Sequence, residues 1–283
     1  MLLINILKEN EDMALDKFSF VNKFFYKRLI TLSFLFPIFL YCILTNNFFS
    51  KFIILFTSLI LGYEWFNITQ KKNIFYLFIF NFLIFLNLLF SINTVFTTSL
   101  ILTFLFSLLI VFSLFFQNKK DTESILYLFY GYMFISIPFI IFFKIKSDIN
   151  GQYILLWLLI VITSSDILSY FFGNLIKGPK ILPNTSPSKT FSGTIIGIIL
   201  GTFLGIIFFI NFLNVNISYF FIFLFSAILA ISGFFGDIFM SKIKRKFNKK
   251  DSSNFLPGHG GFLDRYDSFS FSLIILFFLE FFI

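Results

Sequence analysis

From residue 29 onward the chain is a succession of long apolar runs separated by short polar breaks. Nine runs can be marked, at 29–45, 51–66, 74–92, 95–116, 124–143, 152–170, 192–212, 217–240 and 268–283. A helix needs about 20 apolar residues to cross hydrocarbon about 30 Å thick. A membrane barrel would instead alternate apolar and polar positions with period two, and these runs are solidly apolar. The pattern predicts an all-α polytopic integral membrane protein of about nine transmembrane helices. The last run is short, covering about 24 Å at ~1.5 Å per residue, so an earlier start or a tilt imposed by its neighbours is expected. Residues 1–28 read as a cytoplasmic N-terminal arm, 29–150 as N-terminal transmembrane helices, and 151–283 as the C-terminal region that carries the chemistry.

Charge gives the expected orientation. With the N-terminus in the cytoplasm, the inner segments collect 19 of the 22 Lys and Arg, and the outer ones hold only Lys51, Lys144 and Lys146. This is the bias expected of cytoplasmic loops. Only 13% of residues are charged, against about 25% in soluble domains. The net charge of +8 therefore first reflects loop bias. No aromatic-interleaved basic stripe and no nucleic-acid motif is present. The single cysteine, Cys42, lies in the first apolar run and reads as a packing residue. The opening apolar stretch, Leu2–Leu7, is too short for a cleaved signal. No internal repeat supports an inverted-repeat transporter.

The polar residues that matter are few. Glu64, beside Trp65 at the inner end of the second run, has two readings: an interfacial carboxylate, or an acid that lines a pocket or supports its lining from behind. Asp166 lies about a turn inside the sixth run, where an acid is costly and usually faces a cavity and a cation; a buried helix-packing role is the other reading. After it come Lys177, Lys180 and Lys189. Ser186 to Thr190 then precede an apolar helix in a helix-start pattern that can present hydroxyls and free N–H groups to an anion. A capped helix with surface lysines explains the same residues.

The stretch Gly236–Ser268 is more specific. At 100° per residue Asp237, Ser241 and Lys244 share one helical face, with Arg245 adjacent. Snorkelling basics at a helix end account for Lys242 and Lys246, but not for Asp237. Gly258, Gly260 and Gly261 around His259, the only histidine, can curl N–H groups into an anion nest. Asp264 and Asp267 then share a face at the start of the last helix. One of them could simply answer the positive helix N-terminus. Two of them with Asp237 and a phosphate nest point to Mg²⁺, an ion bound through oxygen ligands, with a second cation conceivable.

At this point the residues match a family. Ser241, Lys244, Arg245, Lys250, Asp251, Pro257, His259, Gly260, Gly261, Asp264, Arg265 and Asp267 resemble, at kept spacing over 241–267, the signature of phosphatidate cytidylyltransferases (CDP-diacylglycerol synthases). Upstream, Asp166, Ser169, Tyr170 and Gly173, then Ser186, Pro187, Lys189, Thr190 and Gly193, are similar to the family's two earlier motifs. Tyr266, Asn174, Phe191 and Ser192 depart from the common pattern. The resemblance is strong from about residue 160 to the end; earlier it is a similar hydropathy and the Glu64–Trp65 pair.

The resemblance implies transfer of the cytidylyl group of CTP to phosphatidate, with Mg²⁺, for phospholipid synthesis, in an enzyme that forms homodimers. Taken with the reading of the residues above, Asp237, Lys244, Arg245 and Asp264 are expected in catalysis, and Asp237, Asp264 and Asp166 at the metal. Ser186, Lys189, Thr190, Ser241, Asp251, His259, Gly260, Gly261, Arg265 and Asp267 are assigned to substrate. In the nine-span arrangement all these groups meet the cytoplasm, so a polar, cytoplasm-facing cavity within the membrane is expected. Two other readings stand beside this one: a CTP-using polyprenol or phytol kinase-like transferase, and a transporter. The signature argues against the first. The second would spread its ionisable residues across the bilayer rather than along one side.

Overall fold

The computed structural model describes residues 33–69, 74–92, 95–112, 122–183, 185–213, 215, 217–256 and 260–282. The N-terminal arm expected at 1–28 lies outside them. Among the described residues the chain forms α1 (Ser33–Leu44), α2 (Phe48–Thr69), α3 (Ile74–Ser91), α4 (Phe96–Phe112), α5 (Thr122–Ser147) and α6 (Gly151–Ile176). A short antiparallel hairpin follows, β1 (Lys180–Leu182) and β2 (Ser186–Thr190). It leads into α7 (Phe191–Phe212), α8 (Tyr219–Lys246) and α9 (Leu263–Leu279), with a 3-10 turn at Glu280–Phe282.

Helices α2, α5, α6, α7 and α8 are long and apolar enough to cross a membrane. At ~1.5 Å per residue the 22 residues of α2 reach about 33 Å. Large apolar side chains stay on the outside, among them Phe52, Phe104, Ile199, Phe203 and Phe220. A water-soluble bundle would bury such side chains, whereas lipid accepts them. The chain is an all-α membrane protein.

Several helices outrun their apolar runs. The fifth run stops at residue 143, yet α5 continues through Lys144 and Lys146. The eighth stops at 240, yet α8 continues to Lys246. The last helix starts at Leu263, five residues before its run, so Asp264–Asp267 lie inside it. Hydropathy marks where lipid ends. The backbone hydrogen-bond ladder ends only where a cap or turn stops it.

The most extensive contact in the bundle joins α6 and α7. Gly193, Gly197, Gly201 and Gly205 recur every fourth residue of α7 and bring its backbone against Ser169, Ser165 and Val161 of α6. A side-chain carbon at Gly197 would lie 2.6 Å from the Ser165 carbonyl oxygen. Small residues at four-residue spacing are how membrane helices gain van der Waals contact without a hydrophobic driving force. Between α2 and α5, Trp65 is wholly buried and its indole donates to the Tyr127 carbonyl at 2.8 Å; Gly131 leaves room for the ring.

The three lysines read as outer, Lys51, Lys144 and Lys146, line one cavity of about 260 Å³ where α2 begins and α5 ends. Buried Lys146 donates to the carbonyls of Cys42 and Thr45, which the end of α1 leaves without helical partners. Lys144 pairs with Glu280 at 2.6 Å and Asp148 at 3.0 Å. Cys42 is buried in the same region, as a packing residue should be.

Gly197→Leu should force α6 and α7 apart and destabilise the protein by about 1–3 kcal/mol. Ile199→Leu, on the exposed face of the same helix, should change little. Thermal unfolding in detergent, monitored by size-exclusion chromatography, separates the two.

Candidate active site

At the end of the bundle opposite the lysine cavity, the last turns of α2, α6 and α8 meet the first turns of α9, with β2 alongside. Small residues allow this. Gly236 of α8 lies against the Ser268 backbone of α9, where an added carbon would sit 3.1 Å from the Ser268 Cα. One turn earlier, Ser232 donates to Ser272 across the same seam at 2.9 Å. Three polar clusters occupy this end.

The first surrounds Ser268. Its hydroxyl donates to Asp237 Oδ1 at 3.0 Å and lies 3.4 Å from Asp267 Oδ1. Asp267 is buried, and its Oδ1 also accepts the Ser268 amide at 2.9 Å. Asp166, solvent-accessible on α6, interacts with Ser268, Asp237, Lys189 and Arg265. The other oxygen of Asp237 forms an ion pair with Lys189, whose ammonium also lies 4.9 Å from the Phe234 ring centroid. One hydroxyl has one proton. Three carboxylates therefore meet a single hydroxyl and two cations, the closely paired Lys189 and Arg265.

The second cluster surrounds Asp264. Its Oδ1 takes the Lys244 ammonium at 2.6 Å, and its Oδ2 accepts the amides of Ser252 and Gly261 at 3.0 Å each. Gly260 has φ +81°, a left-handed backbone that favours glycine. A side chain there would also strike the Asp264 carboxylate.

The third surrounds Glu64, which is fully buried. Its Oε1 accepts from Ser253 Oγ at 2.5 Å and the Phe262 amide at 3.0 Å. Its Oε2 accepts from Ser252 Oγ at 3.1 Å and the Leu263 amide at 2.7 Å. The signature loop encloses this carboxylate.

The structure thus brings together Asp166, Asp237, Asp267, Lys189 and Arg265, and beside them Lys244 and Asp264. The hydrogen bonds of Asp264 go to Lys244 and the loop amides. Among the described residues no three His, Cys, Asp or Glu side chains are arranged to hold a metal. Arg245 points elsewhere, donating to the carbonyls of Thr185 and Lys249 at 3.2 Å each, and so ties the hairpin to the loop after α8. Ser186 and Lys189 lie in a strand rather than a helix start. Only Thr190 acts as a cap, its hydroxyl accepting the Gly193 amide at 3.2 Å. Ser241 is half-buried, and Asp251 is exposed without an ion pair among the described residues. His259 lies outside the described residues. The amide of Gly261, expected to face an anion, is instead directed to Asp264, and those of Phe262 and Leu263 to Glu64.

Ser268, Ser252 and Ser253 were missed in the sequence, where serines next to acids and basic loops carry no distinctive spacing. Tyr266, a departure from the family pattern, finds its own use: its hydroxyl donates to the Ile135 carbonyl of α5 at 3.0 Å and its ring stacks on Phe139.

Fold and site together define a membrane-embedded protein with a compact, mixed-charge polar centre at one end of a helical bundle. The Cytidylyltransferase family model matches residues 26–282, and the chain belongs to that family. Over 164 residues it is 37% identical to the phosphatidate cytidylyltransferase of Rickettsia bellii, covering 56% of this chain and 71% of that protein. It is 36% identical over 143 residues to the protein of the same name from Staphylococcus haemolyticus, covering 50% of this chain and 54% of that one. The one from Helicobacter pylori strain 26695 is 32% identical over 169 residues, covering 58% and 60%.

A carbon added at Gly261 would lie 2.6 Å from both Glu64 oxygens. Gly261→Ala should therefore expel the loop from its seat. Limited trypsin digestion should then cut at Lys249 or Lys250 several-fold faster than in the unaltered protein.

Proposed function

We propose that this protein transfers the cytidylyl group of CTP to phosphatidate, giving CDP-diacylglycerol and pyrophosphate. The observation that carries the reading is the meeting of Asp166, Asp237, Asp264 and Asp267 with Lys189, Lys244 and Arg265 at one end of the bundle. It occurs in a family member whose curated relatives bear this activity in their names. The physics of the reaction agrees. Both substrates are polyanions, and the second phosphate pKa of a monoester lies near 6, so the phosphatidate oxygen is already a nucleophile at neutral pH. No strong base is needed, and the described residues offer none in a Ser–His–Asp or Cys–His arrangement.

An oxygen of the phosphatidate phosphate attacks the α-phosphorus of CTP. The P–O bond to the β-phosphate breaks, and pyrophosphate leaves with the electron pair. Such transfers depend on positioning and on neutralising charge. Lys189, Lys244 and Arg265 supply fixed positive charge. Arg245 holds the hairpin that carries Lys189. Ser186, Thr190, Ser241, Asp251, His259, Gly260 and Asp267 complete the proposed substrate contacts, with Asp237, Lys244 and Asp264 as the catalytic set.

The donor set suits Mg²⁺. Asp166, Asp237 and Asp267 are hard oxygen donors, crowded together with less positive charge than their own. Asp166 and Asp237 would hold the ion, with Asp264 joining if it exchanges its contact with Lys244. When bound, Mg²⁺ withdraws charge from the phosphate oxygens and orients the leaving group. We further read the site end as facing the cytoplasm of an inner membrane, with nine spans, an intramembrane cavity reached laterally by lipid, and a homodimeric assembly. The split of 19 Lys and Arg against 3 supports that orientation.

Detergent-solubilised protein given labelled CTP, phosphatidate and Mg²⁺ should place label in the lipid phase with equimolar pyrophosphate, and EDTA should abolish both. CDP release without labelled lipid would overturn the assignment in favour of a kinase-like transferase. Asp237→Asn and Asp264→Asn should each lower kcat by roughly 100-fold or more while membrane insertion is retained. A fully active Asp264→Asn protein would remove that residue from the metal and catalytic sets.

A further inference from the structure

We infer that Glu64 is a positioning residue, a helix cap supplied from α2 that seats the signature loop and aims α9 at the nucleotide. This rests on the reaction proposed above. The start of α9 needs such a cap. Its N-cap position is Phe262, whose side chain makes no capping bond, yet the first N–H groups of any helix lack helical partners. Two carboxylates divide them. Asp264 reaches back to the Gly261 amide, and Glu64, from a helix some 198 positions earlier in the chain, takes the Phe262 and Leu263 amides. Ser252 is gripped by both acids, giving its amide to Asp264 and its hydroxyl to Glu64. Loop and helix start are thus clamped between a carboxylate that faces the reaction centre and one that does not.

The seat itself is rigid. Trp65, the next residue, anchors α2 to α5 through Tyr127. Lys249 adds a second tie from the loop to the Asn67 carbonyl at the end of α2. Glu64 has no salt bridge among the described residues, so its charge is answered by four aligned donors and the positive end of α9. A glutamine has the same shape but replaces acceptor capacity with an NH₂ group, which would confront two of those donors. The orientation of Asp264, and through it Lys244, would relax. CTP would be held by these charged groups alone, whereas phosphatidate would also be held by its acyl chains between helices, so CTP binding would suffer more.

The test compares Glu64→Gln and Glu64→Asp with the unaltered full-length protein in detergent. Glu64→Gln should lower kcat/KM for Mg·CTP by roughly 10–100-fold, the range seen when a supporting hydrogen-bond partner is removed. A raised KM for CTP and an unchanged KM for phosphatidate should accompany it. Glu64→Asp, which keeps the acceptors on a shorter arm, should recover part of the loss. Hydrogen–deuterium exchange should accelerate at residues 261–263 in Glu64→Gln and stay unchanged along α6 and α7. A fall in kcat with both KM values unchanged, and faster exchange throughout the protein, would mean a loss of folded protein and would overturn the inference. Unaltered exchange at 261–263 would also overturn it. The exchange readout needs no turnover. If the unaltered protein fails to make CDP-diacylglycerol while exchange behaves as expected, the proposed reaction falls and the clamp stands.

Discussion

A carboxylate enclosed in a membrane bundle persists only if donors or cations surround it, and the polar end of this molecule is arranged around that requirement. An unpaired ion in a low-dielectric interior would cost far more than a domain's whole stability. The three clusters meet the requirement in different ways. Asp264 has a cation on one oxygen and two amides on the other. Glu64 has four neutral donors and no salt bridge among the described residues. Asp166, Asp237 and Asp267 share Ser268, Lys189 and Arg265. The first two are closed arrangements that hold the chain in place. The third is short of positive charge, which is what a divalent cation would supply in the reaction proposed above.

Close packing makes this arrangement possible. The charged side chains project from four different helices and a hairpin, so the helix axes must be held to within a fraction of an ångström. Glycines at 193, 197, 201 and 205 lock α7 onto α6, and Gly236 lets α8 touch α9 beside Asp237. Trp65, buried against α5, carries the position of Glu64 into the other half of the bundle. Rigidity therefore reaches the site along two routes, one from α6 and α7 and one from α2 and α5, and they meet at the start of α9.

Much of this was legible in the sequence. Apolar runs of membrane length can form only helices in lipid, because every backbone polar group there must be satisfied within its own segment. The seventh run, marked at 192–212, corresponds to α7 at Phe191–Phe212. The acids and cations of the site were visible as charges too costly to keep in such a chain without use. Helix ends were less legible. Lys144 and Lys146 look like loop residues, but they continue α5 beyond the apolar boundary. The hairpin before α7 was hidden because Ser186–Thr190 also fits a helix start.

The sequence by itself determined the class of protein, the helices and the list of polar residues on which the chemistry depends, since those follow from local hydrophobicity and charge. Only the tertiary structure decided how the polar residues divide. Asp264 went to Lys244 and the loop, Asp166 and Asp237 to Ser268, Arg245 to the hairpin, and Glu64 to amides 198 and 199 positions away. Partnerships over such separations depend on which helix ends the bundle brings together. That is a property of packing and leaves no periodic trace along the chain.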